Sequence, residues 1–113
     1  MNLDPITTDA ILIYDHWKTT IYEVLSNKQK DLRFLDSPEV IPKIISSGCS
    51  DEVARLNEEI IRGVVFSMLS ILSGATSASE TGTITVSING TGIDMTDIQN
   101  KFIYELINSG RIK

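Results

Sequence analysis

From Ile60 to Leu72 the apolar residues fall in pairs that step by four: Ile60-Ile61, Val64-Val65, Met68-Leu69, then Leu72. Such spacing traces one face of an α-helix, and Phe66 and Ile71 widen the apolar arc beyond a single stripe. A helix this apolar needs cover, so it constrains what the rest of the chain can do. Its start is marked by Ser50 as a cap, with Asp51 and Glu52 in the first turn, where the helix dipole favours negative charge. Gly74 stands where a C-cap glycine belongs. Arg55, Asn57, Glu58, Glu59 and Arg62 keep the first half wet. The pattern predicts a central helix from Asp51 to about Ser73, solvated at its start and buried at its end. Gly63, Ser67, Ser70 and Gly74 form a narrow stripe of small residues that would admit a second backbone as a packing seam.

The segments before it read as two further helices. Asp4-Pro5 is a helix start, since Asp caps and Pro suits the first helical position. Ile6, Ala10, Ile13, Trp17, Ile21 and Val24 follow at gaps of four and three. They predict a helix to about Leu25 or Ser26 with Trp17 in its buried stripe and Tyr14 and Tyr22 partly exposed beside it. Lys28–Leu35 either continues that helix after a bend or forms a separate turn. Ser37-Pro38 opens a short helix to Ser46 that turns Val40, Ile41, Ile44 and Ile45 inward and stops at Gly48.

After Gly74 the character changes. Six of the eleven residues from Ser73 to Thr83 are Ser or Thr, which predicts an exposed connection. Thr83–Ile88 alternates with period two, placing Ile84, Val86 and Ile88 towards a core. Asn89-Gly90 is the strongest two-residue hairpin signal, and it pairs Ile88 with Thr91 and Val86 with Ile93. Asp94 reads as the cap of a last helix from Met95 to about Asn108, with Ile98, Phe102 and Leu106 buried, Ile103 and Ile107 beside them, and Gly110 as its terminator.

The fold class that follows is α+β, mostly α: about four to five helices around a central buried helix, with one short β-hairpin before the C-terminal helix. A length of 113 residues suits a single domain over 1–113.

Ten Lys and Arg against fifteen Asp and Glu give a net charge of −5. That balance argues against nucleic-acid binding, which depends on neutralising phosphates, and it suits a basic protein partner. The one basic cluster, Lys28, Lys30 and Arg33, has Asp31 inside it and reads as a solvated face. A single cysteine excludes an internal disulfide. The N-terminus lacks a basic, apolar and small-residue leader pattern, and the longest apolar run, Val64–Leu72, is about half of the roughly twenty residues a membrane span needs. The expectation is a cytoplasmic protein without membrane contact.

No motif assembles a catalytic centre. The loop after Gly74 lacks P-loop spacing and follows a helix rather than a strand. His16 neighbours Asp15, but adjacent helical residues point about 100° apart and do not act as a pair. Cys49 precedes a helix N-terminus, which lowers a thiol pKa, yet its only candidate base is His16. Asp51-Glu52 and the pair Asp94 and Asp97 sit at helix starts, where the dipole accounts for them, and Glu58-Glu59 lack a visible cleft. No cofactor, metal site or catalytic residue is expected.

The run "IIRGVVFSMLSILSG", followed by a hairpin and a last helix, resembles a pattern in small uncharacterised acidic bacterial proteins, over residues 60–107. Where those proteins carry Asp before the glycine, this chain has Ser73. Some of them are toxin-neutralising, immunity-type partners, so the resemblance implies an interaction protein. The functional expectation is a non-enzymatic interaction module, an immunity-type or regulatory partner of a basic protein. Its surface would use Asp51, Glu52, Glu58 and Glu59, with Tyr14 or Tyr22 as an aromatic anchor. The alternatives are a small-ligand regulatory domain, with a pocket between the central helix and the hairpin, and a small enzyme with a carboxylate or Cys49 site. The free edge of Thr83–Ile88 and the small-residue stripe add the expectation of a homodimer.

Overall fold

A computed structural model describes residues 3–26 and 36–112. The expected continuation through Lys28–Leu35, with the basic cluster of Lys28, Lys30 and Arg33, lies outside the described residues. The elements are α1 (Pro5–Leu25), α2 (Val40–Ser47), α3 (Ser50–Leu72), a 3-10 turn (Ser77–Glu80), β1 (Val86–Ile88), β2 (Thr91–Ile93) and α4 (Ile98–Asn108). The fold is α+β and mostly helical, with the hairpin directly before the C-terminal helix. The chain divides into two compact units: Tyr14–Arg62, and Met1–Ile13 together with Gly63–Lys113.

Among the described residues of the unit Tyr14–Arg62, those buried are Tyr14, Thr20, Val24 and Leu25 from α1 and Ala54 from α3. Trp17 is 43% exposed whereas Tyr14 has no exposed surface, the reverse of the expected arrangement. The reason is polar: a phenol tolerates burial once its hydroxyl is paired, and Tyr14 finds its partner on α3. α2 ends at Gly48 as expected, in the left-handed region at φ 77°. Pro42 is the third residue of α2, where its missing N–H leaves no helical bond unmade. None of α2 is buried and Val40 is 44% exposed, so its apolar side is only half covered. Periodicity sets which residues share a face but not whether another element covers that face.

In the other unit, α1 begins as the sequence indicates. Asp4 Oδ1 accepts the Thr7 N–H at 2.8 Å, and Asp4 Oδ2 accepts the Thr7 hydroxyl at 2.7 Å. Satisfied in this way, Thr7 is fully buried in the company of Ala10 and Ile11. The core here also contains Leu69, Met95, Ile98, Phe102 and Leu106. β1 and β2 are antiparallel with Ile88 opposite Thr91 and Val86 opposite Ile93, the register the turn dictates. Asn89 and Gly90 both take positive φ, 51° and 81°, as a type I′ turn requires. Ile88 is nevertheless 45% exposed, because a two-stranded ladder this short covers only part of one face. α4 starts at Ile98 rather than Met95. Asp94 Oδ1 accepts the Thr96 N–H at 2.9 Å, a local turn that competes with helix, and Asp97 adopts a left-handed φ of 53° before the first helical residue.

α3 corrects the largest expectation. The helix is present, but its second half is not buried. In the pairs Ile60-Ile61, Val64-Val65 and Met68-Leu69 the first member is exposed and the second covered, fully so only at Leu69. Adjacent residues point about 100° apart, so a helix covered on one side must split each pair. The small-residue stripe is not a seam within the chain either. Gly63 and Ser67 are exposed, and a Cβ built on Gly63 meets nothing within 4 Å. Gly74 keeps its expected role at φ 80°.

Candidate functional site

The densest polar cluster lies within Tyr14–Arg62 and centres on Glu58 of α3. Tyr14, Lys18 and Tyr22 recur every four residues along α1, so helical geometry sets them in one row. Glu58 and Arg62 are likewise one turn apart on α3. The Tyr14 hydroxyl donates to Glu58 Oε1 at 3.1 Å and the Tyr22 hydroxyl to Glu58 Oε2 at 3.4 Å. Lys18 Nζ stands 3.4 Å from Oε1 and 6.0 Å from the centroid of the Tyr14 ring. Arg62 Nη2 is 4.0 Å from Oε1 and donates to the Tyr14 oxygen at 3.5 Å.

Two cations and two phenols thus surround one carboxylate whose side chain is only 15% exposed. Both carboxylate oxygens are occupied, which suits a brace between α1 and α3. Burial pushes the Tyr14 phenol above its ordinary value of 10.0, against the opposing pull of the Arg62 hydrogen bond. Arg62 Nε is buried without a hydrogen-bond partner.

The six residues expected to form a partner surface therefore separate. Glu58, Tyr14 and Tyr22 are brought together, but to each other. Tyr14 is too buried to serve as an exposed anchor, and Tyr22 is half-buried. Asp51, Glu52 and Glu59 remain exposed on α3 and make no ion pair among the described residues. Glu52 and Glu59 lie one and just under one turn from Leu56, itself 57% exposed, so acid flanks an apolar side chain. Lys18 and Arg62 are the cluster members that sequence reading missed. The four-residue recurrence of Tyr14, Lys18 and Tyr22, and of Glu58 and Arg62, was the available signal.

The other candidates stay apart. Cys49 is exposed, and its backbone N–H and thiol contact only Ser47, at 3.4 Å and 3.8 Å. His16 is exposed and packs edge-on against Trp17, with ring centroids 5.3 Å apart. Among the described residues no three His, Cys, Asp or Glu side chains are grouped to hold a metal ion. Within the unit that contains the hairpin, an open cleft of about 430 Å3 is lined by Leu72, Ile84, Val86, Ile93 and Met95, with Ser73, Asp94 and Thr96 at its polar side. Its hydrogen bonds from Thr96 hold the exposed Asp94 carboxyl below its ordinary range. By length and composition alone the stretch Ser50–Glu80 is apolar enough to cross a membrane.

No family model, curated protein or solved structure matches the chain.

Proposed function

We propose that this chain is a non-enzymatic interaction module whose partner is a basic protein, in the manner of a small neutralising or regulatory partner. The observation that supports this reading is the exposed acid on the first turns of α3: Glu52 and Glu59 beside the exposed Leu56, with Asp51 exposed on another side of the same turns. Exposed Arg55 stands between Glu52 and Glu59, so the patch is acidic on balance rather than of one sign; a net acidic flank beside an apolar contact still steers a basic partner. The acidic balance of the whole chain acts in the same direction. Glu58 is left out of this surface because its charge is already compensated by Lys18 and Arg62.

The test is affinity capture from source-cell lysate with the wild-type chain and with a Glu52→Lys, Glu59→Lys double variant. A basic protein retained by the first and lost by the second is the expected result. The purified pair should then associate more slowly as salt rises, with little change in the melting temperature of the variant chain. Equal association of both chains at low salt would exclude this face. The cleft between the end of α3 and the hairpin supports a second reading, a small-ligand regulatory domain. A thermal-shift screen of small amphiphiles checks it: a hit should disappear in Ile93→Arg.

A further inference from the structure

We propose that the outer face of α3 pairs with the same face of a second copy of this chain. α3 is one unbroken helix, so positions along it share a face by helical geometry alone. Ile60, Val64, Ser67 and Ile71, all exposed, recur at gaps of four, three and four. That is the spacing of a seam that buries against another α-helix. Leu56 and Met68, 57% and 61% exposed, lie beside it.

Charge selects the occupant. No charged residue occurs from Gly63 to Ser79, and none of the exposed positions just named carries charge. A basic partner finds no acid on this seam. A second copy of a chain with net charge −5 meets no opposing acid there, provided like surface meets like across a two-fold axis. The area agrees. Complete burial of Leu56, Ile60, Val64, Met68 and Ile71 from two copies would cover on the order of 1,000 Å2, the threshold of a specific interface, so the pairing is a weak, concentration-dependent one. A bilayer is the poorer fit, because the uncharged part of the helix, Gly63–Leu72, spans only about 15 Å of a hydrocarbon core about 30 Å thick.

Apart from Leu56, which both surfaces use, the seam lies off the acidic flank, so Glu52→Lys with Glu59→Lys leaves the pairing in place. Sedimentation equilibrium over about a hundredfold range of concentration should show the mass rise from one chain to two. Val64→Lys and Met68→Lys, at exposed positions, should each hold the chain monomeric with unchanged circular dichroism and with the melting temperature that the wild type shows at concentrations where it too is monomeric. Monomer mass throughout, or a dimer that survives both lysine variants, overturns the proposal. So does a chain that stays monomeric in water but sediments with neutral phosphatidylcholine vesicles, since the face would then belong to lipid.

Discussion

The two units are held together by different physics. Among the described residues of Tyr14–Arg62 the tie is polar, a carboxylate ringed by Tyr14, Lys18, Tyr22 and Arg62, with Val24, Leu25 and Ala54 as their apolar burial. In the other unit the tie is mainly apolar: Ile98, Phe102 and Leu106 have no exposed surface, with Thr7 and Gln99 as the buried polar side chains among them. Burial of apolar area tolerates small shifts, whereas a ring of charges depends on each member, because removing one leaves the others uncompensated. One region is therefore robust in geometry and sensitive to volume, and the other is the reverse.

The largest effect should come from volume in the apolar core. Phe102→Ala is expected to lose about 3–5 kcal/mol in chemical denaturation. A loss under about 1 kcal/mol would mean that the second region is not held by packing. Glu58→Ala should lose about 1–3 kcal/mol by stranding the phenols and cations around it. Hydrogen exchange should then rise in 14–26 and 50–62 and stay fixed in α4, whereas a uniform rise would erase the distinction between the regions. Gly63→Ala should change stability in the opposite direction, by up to about 1 kcal/mol, since a Cβ there meets nothing within 4 Å and helix propensity improves. Any loss would show that Gly63 is packed after all. The smallest effect concerns pH. A phenol whose folded pKa is raised contributes stability that is complete below the unfolded value of 10.0 and is lost as pH climbs towards the folded one. Tyr14→Phe should remove that alkaline slope, seen in melting temperatures from neutral pH upward.

How much of this the sequence carries depends on whether the signal is local. Asp4-Pro5, Gly48, Gly74 and Asn89-Gly90 specify backbone within a few residues, and each appears where expected, the hairpin with its register. The 98, 102, 106 row of α4 is also local, and it is buried. The face that α1 buries was not legible. Trp17 outranks Tyr14 in any apolar count, but the hydroxyl partner that lets Tyr14 go inside is 44 residues away. For the same reason Glu58 looked like surface acid. The exposed half of α3 failed differently: its pairs define an apolar arc, and nothing local says how much of an arc a short chain has material to cover.

The order of the units along the chain bears on how they come into being. Residues 14–62 are continuous and can meet one another as soon as they leave the ribosome. Residues 1–13 belong with 63–113, and closing the intervening loop of about 50 residues costs on the order of 3–4 kcal/mol in chain entropy before any contact offsets it. A core that draws on both sides of that loop must therefore wait for α4, and until then Ala10 and Ile11 lack the partners that share their core.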